Sequence, residues 1–514
     1  MTAITSDISS PVSGASGASA TRDRVPGLVL PAHDGLFYGG AWHAPRSGRY
    51  GDVFSPGDGS RIGRAAIGDA SDVDAAVTAA REGFAVWRDT PPLERARLLK
   101  AAAVEMRKHA ADLALLDAVD CGNPVAEMTG DVMVAAALFE FFAGLVTEMK
   151  GVSIPMGPDA IDFTVREPVG VVARIVAFNH PFMFAAGKMA APLAAGNAVI
   201  IKPPEQAPLS SLRLAEIVGG LFPPGVVSIL NGGREVGESL VSHPGVAMLG
   251  LVGSIPTGRA VARGAAERIK PMLLELGGKN ALIAYPDVDP DALAAGAVAG
   301  MNFTWCGQSC GSTSRLFLHE HLYEAVIERI AERCKAFVPG LPTDPKTSMG
   351  AIISQAQHAR VLEYIASARE QGARLVVGGK VPDNPALANG YYIEPTVFAD
   401  VDPEMRIARE EIFGPVLSII KWRDEAKMLA DVNALDYGLT CAIWTNDLER
   451  GMRAASRVNA GYVWINEVGK HFLGAPFGGM KQSGMGREEC LGEMLSFTQE
   501  KNIHVSLRRV AAPR

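Results

Sequence analysis

The sequence predicts an α/β protein in which parallel strands are covered by helices on both faces. From Gly170 onward, short apolar runs such as "VGVVARIVAF", "NAVIIKP", "GVVSILN" and "VAMLGLVGS" alternate with helical stretches. The runs are continuously apolar and rich in β-branched residues, which is typical of strands buried on both faces. The alternation of strand and helix predicts crossover connections and therefore parallel strands. With 514 residues, 48% of them hydrophobic, the chain is long enough for more than one domain.

The first half of the chain begins with helices. Ser71 and Asp74 resemble a capping box, and apolar residues from Val73 to Trp87 recur at helical spacing, which predicts an amphipathic helix. Further helices are predicted over residues 93–108, 110–120, 132–146, 182–193, 209–218, 320–337 and 355–371. The stretch 132–146 is the most apolar of these, but it is too short, and with Glu140 too charged, to cross a membrane. We therefore interpret it as a buried helix.

Composition excludes several classes of protein. The formal net charge is −7 and no block of Lys and Arg is present, so no nucleic-acid partner is predicted. The cysteines are too few for a disulfide scaffold, and only one pair lies close together in sequence, which leaves a zinc site incomplete. They are Cys121, Cys306, Cys310, Cys334, Cys441 and Cys490. This cysteine usage predicts a reducing, cytoplasmic location without a metal centre.

The chain starts with a segment of low hydrophobicity. Residues 1–24 are rich in Ser, Ala, Gly and Thr and lack the apolar run of a signal peptide. They predict a flexible tail, which we place at residues 1–30. We expect neither a targeting segment nor contact with a membrane.

Cys310 is the candidate nucleophile. It stands in "FTWCGQSCGSTSR", where the small neighbours Gly307, Gly311 and Ser312 let a substrate and backbone N–H groups approach the sulfur. Glu275 lies upstream in the apolar run "LLELGGKN", and such a setting raises the pKa of a carboxyl and suits it to act as a general base. Taken alone, a cysteine such as Cys310 is more often a core thiol than a nucleophile, and Glu275 alone is better explained as a helix-cap or salt-bridge residue.

Three further segments place polar groups at predicted strand ends. Asn179 in "AFNHPF" offers a side-chain amide to a developing oxyanion. Lys202 and Glu205 in "IIKPPEQAP" end the next strand, and a carboxylate there can accept both hydroxyls of an adenine ribose. Gly253 and Ser254 in "LVGSIPTGRAV" precede a helix whose N-terminus offers N–H donors to a pyrophosphate.

The combination of these motifs resembles the aldehyde dehydrogenase superfamily over residues 35–507. The motifs "FNHPF", "KPPE", "GSIPTG", "LELGGK", "GQSC", "EEIFGPV", "PFGG" and "SGMGRE" stand in the order of that family. The resemblance implies a Rossmann-like cofactor domain and an α/β catalytic domain. It also implies a small β arm that joins subunits into a homodimer or homotetramer. We expect the cofactor domain at 31–149 and 169–277, the catalytic domain at 278–485 and the arm at 150–168 and 486–514.

The resemblance also implies the role of each catalytic residue. Cys310 is expected to be the nucleophile, Asn179 an oxyanion donor and Glu275 the base that activates the hydrolytic water. Lys188 and Glu488 are expected to support Glu275 as proton-relay residues. The implied reaction is oxidation of an aldehyde to the carboxylic acid through a thiohemiacetal and a thioester on the cysteine.

The implied cofactor is NAD, with NADP as a possibility. Glu205 is expected to repel a 2′-phosphate, which favours NAD. In the family, a carboxylate and an aromatic ring hold the nicotinamide ribose and ring, and Glu411 and Phe413 match them here, although Glu411 alone also fits a solvated acid beside a helix. The full set of expected cofactor residues is Phe178, Lys202, Glu205, Gly253, Ser254, Leu276, Glu411 and Phe413.

Residues expected at the substrate channel differ from the common family pattern. His180 and Gly187 stand where aromatic residues are frequent, which disfavours a quaternary ammonium substrate such as betaine aldehyde. Lys470 and His471 precede "PFGG", and Phe477 keeps one aromatic wall. We expect a bulky aldehyde whose far end is polar or anionic. The alternative is that the basic side chains point to solvent.

Two rival functions and one rival role stay open. A coenzyme A-dependent, acylating relative is disfavoured because such enzymes usually lack a carboxylate at the position of Glu275. A non-catalytic NAD-binding protein of the same fold is the rival from another class. Cys306 is either a packing thiol or the partner of Cys310 in a regulatory disulfide.

Overall fold

Two large sheets organise residues 25–508, the part of the chain that the computed structural model describes. Its strands are β1 (Leu36–Tyr38), β2 (Ala41–His43), β3 (Tyr50–Phe54), β4 (Arg61–Ala66), β5 (Ser153–Ile154), β6 (Ala160–Pro168), β7 (Val171–Ile175), β8 (Ala198–Lys202), β9 (Val227–Ile229), β10 (Met248–Gly253), β11 (Met272–Leu276), β12 (Ala281–Ala284), β13 (Arg315–His319), β14 (Arg374–Val377), β15 (Thr396–Ala399), β16 (Val416–Trp422), β17 (Thr440–Trp444), β18 (Tyr462–Ile465), β19 (Gly484–Met485) and β20 (Thr498–Ser506).

The α-helices between these strands are α1 (Ala70–Trp87), α2 (Pro92–Lys108), α3 (Ala110–Cys121), α4 (Val125–Gly144), α5 (Pro181–Ala194), α6 (Leu209–Val218), α7 (Arg234–Ser242), α8 (Ile255–Ala266), α9 (Pro290–Gly300), α10 (Tyr323–Cys334), α11 (Gln355–Glu370), α12 (Arg406–Arg409), α13 (Glu425–Asn433), α14 (Leu448–Arg457) and α15 (Leu491–Ser496). The predicted helices are confirmed, with ends that differ by a few residues except at α4, which starts before the predicted residue 132. None of the helices within residues 25–508 has the length and apolar character needed to cross a membrane.

The first sheet has eight strands in the order β19–β11–β10–β7–β8–β9–β1–β2. The pairs β10–β11, β10–β7, β7–β8 and β8–β9 are parallel, as the continuously apolar runs predicted. Helices α2 to α6 pack on one face of this sheet, and α1, α7 and α8 pack on the other. Both faces are therefore buried, which confirms the predicted α/β class.

The second sheet has seven strands in the order β14–β15–β16–β13–β12–β17–β18. All its pairs are parallel except the antiparallel pair β14–β15 at one edge. The chain passes from the first sheet to the second through residues 277–280, between β11 and β12. Because ligands of such sheets bind beyond the carboxyl ends of strands, this crossing directs attention to the region between the two sheets.

Two local expectations need correction. The capping box of α1 is formed by Asp69 and Asp72, not by Ser71 and Asp74, because Asp69 accepts from the backbone N–H of Asp72 while Asp72 accepts from that of Asp69. Of the tail predicted at residues 1–30, the described part is packed: Leu28 is 5% exposed and lies in an apolar cluster with α3 and α6. Residues 1–24 lie outside the described part of the chain.

A small antiparallel sheet, β20–β6–β5, lies where the subunit-joining arm is predicted. β6 and β20 pair over their whole length, from Thr498 opposite Pro168 to Ser506 opposite Ala160. The C-terminal segment does not belong entirely to this arm, however. Phe497 is fully buried in the core of the first domain, so residues 486–497 pack there and the arm strand begins only after them.

Helices α4 and α5 pack closely at Gly187. A Cβ added there would lie 2.8 Å from Cδ1 of Leu138, whereas one added at exposed Gly130 of α4 would meet nothing within 4 Å. We expect Gly187→Ala to destabilise the protein by ~1–3 kcal/mol through overpacking. Gly130→Ala, the matched control, should stabilise it by ~0.5–1 kcal/mol because alanine favours helix. Thermal unfolding of both variants measures the difference, and equal shifts would contradict the close packing.

Candidate active site

Cys310 lies in residues 306–314, the cysteine loop, which leads into β13, and its side chain is partly exposed. Asn280 holds this loop in place: its Nδ2 donates to the carbonyl of Cys310 at 2.6 Å and to that of Ser312 at 3.0 Å. Its Oδ1 accepts from the backbone N–H of Thr440 at 3.0 Å. One buried amide thus joins the starts of β12 and β17 to the loop that carries the thiol.

Glu275 is the penultimate residue of β11, and its carboxyl is in contact with the thiol of Cys310. The residue is only 3% exposed. Burial, and then the charge of Glu488, raises the pKa of Glu275 to about 8. Burial and the neighbouring Glu275 carboxylate also raise the pKa of the Cys310 thiol well above its ordinary value. The thiol therefore has a proton acceptor beside it that titrates near neutral pH.

Asn179 follows β7 and is 3% exposed. Its two neighbours in sequence, Phe178 and His180, each contact an aromatic ring from another segment. The ring of Phe178 meets that of Phe413 at 5.7 Å between centroids, and the ring of His180 meets that of Trp305 at 4.9 Å. This segment therefore lies beside Trp305, which directly precedes the cysteine loop, and the oxyanion role of the Asn179 amide stays a prediction.

Lys188 and Glu488 form a buried ion pair, with Lys188 Nζ 2.7 Å from Glu488 Oε2. Burial alone would lower the pKa of Lys188, but the charge of Glu488 outweighs it and raises that pKa. Burial likewise opposes ionisation of Glu488, and the facing cations lower its pKa overall. Glu488 is thus an anion close enough to Glu275 to raise the pKa of the latter.

The end of β8 carries the first pair of predicted cofactor residues. Lys202 is 8% exposed, its Nζ donates to the carbonyl of Pro203 at 3.0 Å, and burial lowers its pKa to about 8. Glu205 is exposed, and a Cβ added at Gly233 would lie 2.7 Å from its Oε2. The bare backbone at position 233 therefore leaves room for the Glu205 carboxylate at this sheet edge.

The turn after β10 presents the N-terminus of α8. Ser254 caps the helix, with its Oγ accepting from the backbone N–H of Thr257 at 3.4 Å, and both side chains are exposed. Gly253 ends β10, and Leu276 ends β11 beneath the helix. A Cβ added at Gly258 would come within 2.5 Å of Leu276, so α8 is pressed onto the sheet with its positive end at the carboxyl edge.

Glu411 approaches from the second domain. Its Oε1 accepts from the backbone N–H of Gly278 at 2.9 Å, and a Cβ added at Gly277 would collide with its carboxylate. Burial raises the pKa of Glu411 to about 7. The carboxyl is therefore enclosed between the two sheets rather than solvated. Phe413 nearby has a left-handed backbone, φ 57°, and Gln357 Nε2 donates to its carbonyl at 2.9 Å.

His180 is paired rather than free. Its Nδ1 lies 2.8 Å from Oδ2 of Asp131, and both residues are buried. Burial alone would lower the pKa of His180, but the Asp131 carboxylate raises it. The glycine at position 187 leaves no open space, because Leu138 of α4 lies where a side chain at that position would point.

Lys470 and His471 are also paired. Lys470 Nζ lies 2.6 Å from Glu467 Oε2, and both side chains are exposed. His471 Nδ1 lies 3.1 Å from Glu489 Oε2, while its ring lies 4.4 Å from that of Phe477. Each of the three basic residues expected in the channel therefore has a carboxylate partner.

Phe477 belongs to an aromatic wall that also contains Tyr462, Trp464 and His471. Centroid distances are 5.8 Å from Phe477 to Tyr462 and 6.4 Å from Trp464 to His471. Phe477 is 4% exposed, and its backbone pairs with that of Glu488 through N–H···O bonds of 3.0 and 2.7 Å. Two backbone hydrogen bonds thus hold Phe477 of the aromatic wall next to Glu488, which also pairs with Lys188.

Known proteins resemble this chain in both sequence and fold. A sequence profile described as the aldehyde dehydrogenase family matches residues 42–503. The chain belongs to the aldehyde dehydrogenase family. It is 51% identical to aldehyde dehydrogenase tropH of Talaromyces stipitatus over 93% of this chain and 94% of that protein. It is 41% identical to a betaine aldehyde dehydrogenase of Cereibacter sphaeroides over 90% of this chain and 95% of that protein.

A solved structure of PnpE from Pseudomonas sp. WBC-3 in complex with nicotinamide adenine dinucleotide superposes with a TM-score of 0.90 at 38% identity. The match covers 93% of this chain and 99% of that chain. The predicted fold and family are therefore confirmed. Within residues 25–508 of this aldehyde dehydrogenase, no three His, Cys, Asp or Glu side chains are grouped to hold a metal ion.

The role of Asn280 could not be read from the sequence. "LELGGKN" predicted Glu275, but it gave no sign that the following amide reaches the cysteine loop. Gln357, which supports Phe413, lies too far away in sequence for any local pattern to reveal it. Cys306 is fully buried and donates to the carbonyl of Gly350 at 3.0 Å, which fits the packing thiol rather than a disulfide partner.

We expect Asn280→Ala to lower the free energy of unfolding by ~2–4 kcal/mol, because buried backbone groups lose their partner. It should also reduce kcat, since the cysteine loop loses its anchor. Asn433→Ala is the matched control: its amide also bonds backbone groups, two rather than three, and in an exposed setting. Denaturant unfolding and steady-state kinetics measure both effects, and equal losses in the two variants would contradict the anchoring role.

Proposed function

We propose that this enzyme oxidises an aldehyde to the carboxylic acid with NAD through a covalent intermediate on Cys310. The contact between the Cys310 thiol and the buried Glu275 carboxyl carries this proposal. Covalent catalysis in two steps requires a nucleophile within reach of a base. The presence of Glu275 also favours water over coenzyme A as the acceptor of the acyl group.

In the first step the thiol gives its proton to the ionised carboxyl of Glu275, and the sulfur forms a bond to the carbonyl carbon. The carbonyl oxygen becomes an oxyanion, to which the Asn179 amide and the backbone N–H of Cys310 donate. One such donor contributes about 3–4 kcal/mol in a transition state. When bound, NAD supplies a hydride acceptor, and loss of hydride from the former aldehyde carbon leaves a thioester on Cys310.

In the second step Glu275 first releases the thiol's proton to solvent and then takes a proton from water, whose oxygen attacks the thioester carbon. The carbon–sulfur bond breaks, the carboxylic acid leaves, and the thiolate of Cys310 takes the proton from Glu275, which restores the thiol and the ionised carboxyl. Glu275 must be ionised to accept the proton, and its pKa is raised to about 8. Hydrolysis therefore accelerates as the pH rises to about 8 and is lost as the pH falls below it.

The residues at the sheet edges fit the proposed cofactor. Lys202 and Glu205 offer a cation and a carboxylate to an adenosine ribose, and the capped N-terminus of α8 at Ser254 offers donors to a pyrophosphate. Glu411 and Phe413 lie on the opposite side, near the thiol loop. The NAD complex of PnpE supports the same cofactor here. Glu205 favours NAD over NADP because it would face the 2′-phosphate.

We infer that the enzyme is a homodimer or homotetramer joined by the arm. Apolar side chains are exposed on and beside β5 and β6, which is typical of a surface that a partner covers. They are Val152, Ile154, Met156 and Ile161. We place the enzyme in the cytoplasm, a proposal supported by its six cysteines, all of which are free thiols.

We propose a bulky aldehyde with a polar, uncharged far end as substrate. The carboxylate partners of His180, Lys470 and His471 neutralise the cations that an anionic substrate would need. The aromatic wall at Phe477 offers a face to a ring or a long apolar chain. Of the two expected options, polar and anionic, the pairings favour the polar one.

Glu275→Gln should form NADH in an amount equal to the enzyme, more slowly than the wild type because the thiol loses its proton acceptor. It should then turn over ~100- to 10,000-fold more slowly, because the base for hydrolysis is lost. Cys310→Ala should form none. Glu267→Gln, an exposed acid at the end of α8, is the control and should keep wild-type rates. NADH absorbance after mixing measures all three variants. Full turnover by Cys310→Ala would overturn the proposed function.

Glu205→Gln should raise kcat/KM for NADP relative to NAD by about tenfold, since a negative charge facing the 2′-phosphate is removed. The matched control is Glu235→Gln, an exposed acid on α7 that pairs with Arg49. Its ratio of NADP to NAD use should stay at the wild-type value. An unchanged ratio in Glu205→Gln would remove Glu205 from cofactor selection.

A benzaldehyde with a para carboxamide should be oxidised with a kcat/KM about tenfold above that of its para carboxylate isostere, because the anion finds no unpaired cation. Lys470→Ala should leave this preference unchanged, since the exposed lysine is paired with Glu467. Competition between the two aldehydes measures the ratio. A preference for the carboxylate that disappears in Lys470→Ala would restore the anionic interpretation.

A further inference from the structure

An arginine stands in the middle of a buried parallel strand of the first sheet. Arg174 of β7 is 1% exposed, and its Nη2 donates to Oε1 of Glu488 at 2.7 Å. A Cβ added at Gly250 of the neighbouring strand β10 would collide with the guanidinium. The sheet is therefore shaped around a cation at a position where a strand of this kind ordinarily carries an apolar residue.

A second buried carboxylate faces the same guanidinium. Glu493 of α15 is 2% exposed, and its Oε1 lies 4.0 Å from Arg174 Nη2. Its Oε2 accepts from the backbone N–H of Glu489 at 2.6 Å. With the pair of Lys188 and Glu488, this gives a row of alternating charges: Glu493, Arg174, Glu488 and Lys188. The second and fourth members are cations, and both bind the same carboxylate.

This row does not follow from the needs of the fold. Burying charges costs several kcal/mol for each ion, and well-packed apolar residues of similar volume are often at least as stable. The row does, however, end beside the site. Glu488 has one oxygen on Lys188 and the other on Arg174, so neither oxygen can turn away, and its charge acts on Glu275.

We propose that Arg174 and Glu493 are positioning residues that hold Glu488 as a carboxylate beside Glu275, and that they control thioester hydrolysis rather than hydride transfer. This inference rests on the proposed function. Arg174 acts on Glu488 directly. Glu493 acts through Arg174, because it keeps the guanidinium in the plane where Glu488 is bound.

The groups that face Glu488 and Glu275 come from five segments of the chain. Glu488 is faced by Lys188 from α5, by Arg174 from β7 and by Glu493 from α15. Glu275 of β11 is faced in addition by the Cys310 thiol and by Glu411. Burial, and then the charge of Glu488, raises the pKa of Glu493 to about 7. Glu493 is therefore ionised in the alkaline range in which Glu275 works.

Loss of Arg174 should change the pKa values of Glu488 and Glu275 in definite directions. Glu488 would keep a single cation against two neighbouring carboxyls, so its own pKa would rise and it would carry less negative charge at a given pH. Glu275 would then lose part of the negative charge that raises its pKa, and that pKa would fall. The acid limb of the hydrolysis rate should move to lower pH, while the maximal rate should drop because less of Glu488 is then in the carboxylate form that relays protons.

Single-turnover kinetics of the full-length enzyme test this inference. NADH absorbance follows hydride transfer, and quenched samples follow release of the carboxylic acid, both between pH 6 and 10. In Arg174→Gln we expect hydride transfer within about twofold of the wild type and acid release at least ~10-fold slower. The acid limb of its pH profile for acid release should lie at lower pH than that of the wild type. Arg174→Lys should recover most of the rate because it restores the cation.

Two further variants separate positioning from general damage. Glu493→Gln keeps an oxygen for the N–H of Glu489 but loses its charge, and it should slow acid release by about threefold to tenfold. If Arg174→Gln does not fold, Glu493→Gln provides the test in its place. Arg95→Gln is the matched control: Arg95 is buried but donates to backbone carbonyls only, so stability should fall without a shift of the acid limb.

The outcomes are distinct. Slower acid release with unchanged hydride transfer in Arg174→Gln or Glu493→Gln supports the inference. Equal slowing of both steps, or profiles that match the wild type, overturns it. Failure of the proposed function itself gives a different result, because NADH formation by the wild type would then not depend on Cys310.

Discussion

The crossing between the two sheets is the constraint on which the site depends. Glu275 is the penultimate residue of β11, and Asn280 directly precedes β12, so base and loop anchor are separated only by a short, glycine-containing connection. Gly277 and Gly278 are bare because Glu411 and the Asn280 amide occupy the space of a side chain. The crossing therefore brings together a carboxyl from the first domain, the thiol loop of the second and the acid that faces both.

Electrostatics adds a second layer to this geometry. Burial keeps Glu275, Glu411 and Glu493 near their titration points at neutral to alkaline pH. His180, Lys188 and Lys470, in contrast, each form an ion pair with a carboxylate. The result is a site that exchanges protons readily but offers little net positive charge to a substrate, a combination suited to a neutral aldehyde and a hydrolytic step.

The sequence predicted the parts that depend on local pattern. Continuous apolar runs predicted the parallel strands, and the span of α6 was predicted to the residue. The thiol and its base were predicted because their motifs are short and distinctive. Leu138 against Gly187 and the carboxylates that neutralise His180 and Lys470 were not predicted. These contacts depend on how distant segments pack, and on whether a nearby acid turns toward its neighbour, which no spacing encodes.

The backbone ladder between Phe477 and Glu488 links two properties that are usually considered separately. One segment carries Phe477 of the aromatic wall, and the other carries the carboxylate that Lys188 binds. A change that displaces Phe477 therefore also displaces Glu488. In the proposed site, enlarging the space for the aldehyde at Phe477 is thus coupled to slower hydrolysis, unless a second change restores the ladder.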